Sequence, residues 1–304
     1  MPHEDRPRKH REIAREISYA QSARSRGGRA IVRALENSTG RIRLMRRARG
    51  YQDEVAGGRD FWSVMMARYG LGLELTGGAL DNIPASGPVI VIANHPYGIL
   101  DGLILGHILS AARGDFRILA HSVFRRSADL NRIILPISFK DDKAALAQNI
   151  QTRKSALRYL SQGGAIGIFP GGTVSTAARP FGHPMDPSWR GFTARMIARS
   201  GAIVVPVFFE GHTSRLFQIA SHLHTTLRLG LLIQQFRKRV NTPVRVVIGD
   251  PITPSDLAPY RKDARAMMDF LRRATYDLSP TPLNPAEIGF EFDERHKRDG
   301  SRNI

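Results

Sequence analysis

Apolar and polar positions follow two regimes along this chain. Up to residue 68 the apolar residues are sparse and spaced as on a helix: Ile13, Ile17 and Ala20, then Ile31 and Leu35, with arginines on the remaining faces. Gly57-Gly58 interrupts that pattern, and Asp60 stands where it can cap a helix over Phe61–Tyr69. From Leu71 the pattern changes to short apolar runs alternating with longer helical stretches. The runs predict strands at Leu71–Thr76, Val89–Ala93, Phe116–Ala120, Ile133–Phe139, Ala165–Phe169, Ile203–Phe209 and Val244–Ile248. Helices are predicted over Gly102–Ala112, Asp142–Ser161, Leu223–Val240 and Arg261–Tyr276. A further one starts at Asp186-Pro187, read as N-cap and first helical residue, and ends at Ser200. Strands alternating with helices imply an α/β fold with a mostly parallel central sheet flanked by helices, preceded by a basic helical N-terminal arm. The expected organisation is an arm over residues 1–68, a main domain over 69–278 and a proline-containing surface tail over 279–304.

Charge sharpens the picture of the arm. The chain of 304 residues carries +18, and residues 1–50 alone hold 13 Arg and one Lys against five acids, half of that excess. Such a segment seeks a polyanion, either anionic lipid headgroups or nucleic acid, or it is a solvated helix face that packs on the main domain. Only Tyr19 interrupts the arm with an aromatic ring before Tyr51, which argues against a base-stacking platform, and no known nucleic-acid-binding motif is present. No apolar stretch is long enough for a transmembrane helix and the N-terminus has no secretory apolar core. The expectation is a peripheral protein on the cytoplasmic face of the membrane. Deleting residues 1–50 is expected to weaken vesicle binding and to spare chemistry on dispersed substrate. The absence of cysteine excludes disulfides, thiolate nucleophiles and zinc–thiolate sites.

The candidate chemistry lies in Asn94-His-Pro-Tyr-Gly-Ile-Leu-Asp-Gly102, directly after the run Val89–Ala93. A strand that stops at His95 and turns through Pro96 and Gly98 can place Asp101 against the imidazole, as a general base needs. The alternative is a satisfied histidine in a turn. A second glycine-rich segment, Phe169-Pro-Gly-Gly-Thr-Val-Ser175, follows another strand and can turn backbone N–H groups of Gly171 and Gly172 toward an anion, without P-loop spacing. His222 and His224 do not have metal-ligand spacing and read as structural or interfacial; no metal site is expected. Leu103–Leu109 reads as a core helix, with an acyl-chain groove as the other possibility.

Four segments in this order resemble the glycerolipid acyltransferase family, the lysophosphatidate-acyltransferase-like enzymes. Asn94-His95 through Asp101 resembles the catalytic block, Phe124-Arg125 the second, Phe169-Pro-Gly-Gly-Thr-Val-Ser175 the third, and Val205-Pro206-Val207, with its strand proline, the fourth. The resemblance spans about residues 75–250. It implies His95 as base, Asp101 as its partner, and substrate contacts at Asn94, Phe124, Arg125, Gly171, Gly172 and Thr173. Pro170 and Pro206 are expected to be structural. Arg126, Arg179 and Arg215 are further candidates for an anionic headgroup. The His–Asp gap is one residue longer than usual, as in a bacterial hemolysin-like branch. The third block has Gly171 where a Glu, and Val174 where an Arg, is usual. Those departures argue against lysophosphatidate itself and leave the acceptor as a lyso-lipid, either a lysophospholipid or a lyso-aminolipid such as a singly acylated ornithine lipid. The expected donor is an acyl thioester of coenzyme A or acyl carrier protein, with no bound cofactor. A lipid-ester hydrolase and a non-enzymatic basic binding module are the rival readings.

Overall fold

The computed structural model describes residues 18–20, 23, 25–121, 124, 128–138 and 143–292. Its helices are α1 (Arg26–Thr39), α2 (Arg41–Ala48), α3 (Tyr51–Ala56), α4 (Phe61–Tyr69), α5 (Ile99–Arg113), α6 (Ala128–Asn131), α7 (Lys143–Ser161), α8 (Gly191–Ser200), α9 (Arg215–Leu223), α10 (Thr225–Arg239) and α11 (Ala264–Tyr276). Its strands are β1 (Gly72–Gly77), β2 (Val89–Ala93), β3 (Arg117–His121), β4 (Ile134–Ile137), β5 (Ala165–Ile168), β6 (Thr176–Ala177), β7 (Pro184–Met185), β8 (Ile203–Phe209) and β9 (Pro243–Ile248).

Seven strands form the central sheet in the order β1-β9-β8-β2-β5-β3-β4. The run from β8 to β4 is parallel, and the pair β1–β9 joins β8 antiparallel. Helices cover both faces, as a mostly parallel sheet requires. In β2 the two-residue period sorts side chains cleanly. Val89, Val91 and Ala93 enter one core with α2, α4, α5 and α10, while Ile90 and Ile92 enter the other with α7, α8 and α11. β2 and β5 are neighbours in register, Ile92 opposite Ile168, so the loops that leave their carboxyl ends emerge side by side. That adjacency brings two segments 70-odd positions apart into one site.

The basic segment packs on the main body over its described part. Leu44, Ala48, Tyr51, Phe61 and Trp62 belong to the largest core, and Gly230 of α10 lies against Leu35 of α1 so closely that a Cβ there would meet it at 2.7 Å. Removing residues 1–50 would take Leu35, Leu44 and Ala48 out of this packing, which argues against the expectation that such a truncation spares chemistry.

Two other expectations are corrected. The helix drawn from Asp186 starts at Gly191, because Asp186 is buried and its carboxylate is engaged elsewhere. The helix drawn over Leu223–Val240 is α10 alone and is preceded by α9. They break at His224, which is extended and whose Nδ1 accepts the Thr226 N–H at 3.0 Å. His222 holds the Ala177 carbonyl at 3.0 Å, so both histidines are structural. The short hairpin β6–β7 was not expected, since two-residue strands leave no periodicity to read.

Candidate active site

β2 delivers the first residues of the site. The Asn94 side chain donates to the Phe209 carbonyl at 3.0 Å and accepts the Phe209 N–H at 2.7 Å. Asn94, expected to touch substrate, is thus a buried clamp between the ends of β2 and β8, because its amide matches both backbone groups at once. Next to it, His95 Nδ1 lies 2.9 Å from Asp101 Oδ2, and its ring stacks on Phe169 with centroids 4.2 Å apart. Asp101 is fully buried at the third position of α5. Its Oδ2 also accepts the N–H groups of Tyr97 at 2.7 Å and Gly98 at 3.0 Å. One carboxylate oxygen therefore caps the helix and orients the imidazole.

The longer His–Asp spacing is absorbed at Gly98, whose φ of +81° only glycine adopts readily. A Cβ there would stand 2.6 Å from the Tyr19 hydroxyl. Burial pushes the Asp101 carboxyl above its ordinary value, against the opposing pull of His95 and of the two N–H groups. Asp101 Oδ1 has no hydrogen-bond partner among the described residues. With Nδ1 turned to Asp101, His95 keeps Nε2 for other chemistry, and Nε2 makes no hydrogen bond among the described residues.

The third segment is tied to His95 through its backbone. Ser175 donates its N–H to the His95 carbonyl at 2.8 Å. The Asp186 carboxylate accepts the His95 N–H at 3.2 Å, the Ser175 hydroxyl at 2.5 Å and the Trp189 indole N–H at 3.0 Å. A Cβ built on Gly171 would lie 3.3 Å from that carboxyl, so Asp186 fills the space that a side chain at 171 would enter. Nothing in the sequence marks Asp186 as part of the site; only tertiary structure brings it there. The Gly172 N–H is taken by the Phe169 carbonyl at 3.0 Å, which removes it as an oxyanion donor. The N–H groups of Gly171 and Thr173 carry no such bond among the described residues, and Thr173 lines the adjoining cavity.

That cavity has a volume of about 360 Å³, within the range of small-molecule sites. Its walls are mainly apolar, with Trp62, Met65, Leu103, Ile118, Ile134, Phe169 and Phe236 among them, and His95, Gly172, Thr173 and Arg228 supply polar groups. Leu103 faces it while Leu105, Ile108 and Leu109 are core, so α5 serves as both core helix and cavity wall. Phe124 and Pro170 also line it. Pro170 accepts the Arg190 N–H at 3.0 Å, and Pro206 sits within β8 opposite Ile92, accepting the Gly249 N–H at 2.8 Å. Arg125 and Arg126 lie outside the described residues. Arg215, expected at the substrate, is exposed on α9, binds the Phe181 carbonyl at 3.0 Å and does not line the cavity. Arg179 is exposed on the hairpin.

Two residues missed by sequence reasoning do line the cavity. Tyr19 comes from the basic segment, and its hydroxyl accepts the Ile99 N–H at 3.0 Å at the start of α5. Burial drives its proton affinity far up, so it stays a neutral phenol. Arg228 comes from α10 and is buried. Among the described residues no cluster of three or more His, Asp or Glu could hold a metal ion.

Residues 42–281 match the acyltransferase family. The chain belongs to that family. Two lyso-glycine lipid O-acyltransferases resemble this acyltransferase. The one from Phocaeicola vulgatus is 26 % identical over 68 % of this chain and 76 % of its own length. The one from Bacteroides thetaiotaomicron is 25 % identical over 68 % of this chain and 78 % of its own. The crystal structure of the 1-acyl-sn-glycerophosphate acyltransferase PlsC from Thermotoga maritima aligns over 87 % of each chain, at 15 % identity and a TM-score of 0.43.

Proposed function

We propose that this acyltransferase moves a fatty acyl group from an acyl thioester to the hydroxyl of a lyso-lipid, and that the acceptor is a lyso-aminolipid. The observation that carries the chemistry is the buried Asp101 holding His95 Nδ1 at 2.9 Å at the polar end of an apolar cavity. The acceptor class rests on the names of the two curated relatives. His95 Nε2 takes the proton of the acceptor hydroxyl, and the oxygen attacks the thioester carbonyl. Asp101 stabilises the imidazolium, as in the serine hydrolase triad but with the substrate hydroxyl as nucleophile. In this reading the Thr173 N–H, which carries no backbone hydrogen bond among the described residues, receives the oxyanion, a contact of the kind worth about 2.7–4 kcal/mol. When the C–S bond breaks, the imidazolium returns its proton to the leaving thiol of coenzyme A or acyl carrier protein. The new ester then carries the acyl group.

The reaction is proposed to run at a membrane surface, on its cytoplasmic face. Among the described residues no helix is long and apolar enough to cross a membrane. Phe181 in the β6–β7 hairpin is 78 % exposed and its carbonyl is held by Arg215; Leu216 is exposed at the start of α9, and Leu223 and Leu227 are exposed at the α9–α10 corner. Exposed apolar side chains with arginines in the same elements suit the boundary of an anionic bilayer.

The test is transfer of a labelled acyl group from acyl-coenzyme A and acyl carrier protein to lyso-glycine lipid, lyso-ornithine lipid and lysophosphatidate. Transfer to an aminolipid, abolished in His95→Ala, is expected. Release of free fatty acid with no acceptor consumed would make the protein a hydrolase instead.

A further inference from the structure

Arg228 is a buried cation whose role the acyl-transfer steps leave open. It is 4 % exposed and lines the same cavity as His95. Its guanidinium donates to the hydroxyls of Thr176 at 2.5 Å, Ser221 at 3.1 Å and Thr173 at 3.1 Å, and to the Val174 carbonyl at 2.8 Å. All four acceptors are neutral, and among the described residues no carboxylate pairs with it. Its guanidinium carbon sits over the rings of Phe292 and Phe217, 4.1 and 5.1 Å from their centroids. Burial pulls its proton affinity down to about 9, which still leaves it charged at neutral pH.

A charge taken out of water without a counter-ion costs several kcal/mol, and a neutral side chain of like size could fill the same space without that cost. The neutral bonds and flanking rings fix the guanidinium plane instead, leaving its charge uncompensated beside the cavity. An anion entering that cavity would supply the missing counter-charge; with the four N–H groups of Nη1 and Nη2 already donated, what remains for it is the charge itself and the Nε–H.

We propose that Arg228 is a specificity residue that binds the anionic headgroup, carboxylate or phosphate, of the acyl acceptor. Thr173 is held by Arg228 and so links headgroup recognition to the loop after β5. The inference rests on the acyl-transfer reading for what the ligand is used for, but the binding itself can be tested without turnover.

The probes are N-dodecanoylglycine, dodecyl phosphate and N-dodecanoylglycine methyl ester, each below its critical micelle concentration. They are titrated calorimetrically into the full chain, wild type, Arg228→Gln and Arg228→Lys. The wild type is expected to bind at least one anion about tenfold or more tightly than the ester, the scale of a charge-assisted hydrogen bond. Which anion is preferred separates a carboxylate from a phosphate headgroup. Arg228→Gln should bind all three alike, and Arg228→Lys, which keeps the charge but loses the planar group and the bonds that fix it beside the cavity, should show a reduced preference. No anion preference in the wild type overturns the proposal. So does an unchanged preference in either variant with wild-type melting temperature; if Arg228→Gln does not fold, Arg228→Lys decides. Absence of acyl transfer to any acceptor would count against the enzymatic reading and would leave this binding result standing.

Discussion

At the scale of residues, the site depends on side chains that serve two partners at once. Asp101 caps α5 through Tyr97 and Gly98 and orients His95 with the same oxygen. Asp101→Asn can still accept the backbone N–H groups, but its amide would present a donor or a weaker acceptor to the imidazole. The expected outcome is a fall in kcat of about 10²–10⁴-fold with a melting temperature within a few degrees of wild type, measured by steady-state transfer and thermal unfolding. Asn94 shows the opposite case, a residue adjacent to His95 whose amide is bonded to both backbone groups of Phe209. Sequence reasoning could place His95 beside Asp101 because both lie in one turn. It could not tell whether Asn94 faces substrate or strand, because that depends on where β8 ends, 115 positions away.

At the scale of elements, α1 positions the first described residues against the site. Glu36 is fully buried and accepts the Ser18 hydroxyl and the Tyr19 N–H, both at 2.6 Å. Tyr19 in turn accepts the N–H of Ile99 at the start of α5. Burial raises the Glu36 carboxyl above its ordinary value, against the pull of Ser18 and Tyr19. The folded chain thus holds that proton more tightly than the unfolded one. The stabilising contribution is complete below the ordinary carboxyl range and is lost as pH rises through the raised value. Glu36→Gln removes this titration, so the variant's melting temperature relative to wild type should be higher at pH 7 than at pH 4. A constant difference across that range would show that Glu36 does not titrate in this way. The α9–α10 break at His224 and the shifted start of α8 escaped the sequence because local hydrogen bonds and the burial of Asp186, not apolar spacing, set them.

At the scale of the molecule, the basic segment and the sheet are one packed body over the described residues. A chain lacking residues 1–50 loses Tyr19, Val32 and Leu44, all packed in cores, and is expected to express as aggregate or without a cooperative thermal transition. Membrane contact is expected to lie at the opposite kind of surface, where apolar side chains are already exposed. Phe181→Asp with Leu223→Asp should lower binding to phosphatidylglycerol-containing vesicles while leaving the melting temperature unchanged. Sedimentation of the variant with vesicles at the wild-type level would move the lipid-facing surface elsewhere.

By itself the sequence determined the α/β alternation, the strands β2 and β8, helix α4 and the His95–Asp101 turn. Each of these is encoded within a short stretch by apolar period, caps and glycine, so local physics suffices. Tertiary structure alone decided that Asp186 braces His95, that Tyr19 and Arg228 reach the cavity, and that Arg215 does not. Those placements depend on parallel strands setting distant loops side by side and on helices α1 and α10 closing over them, relations that no spacing along the chain records.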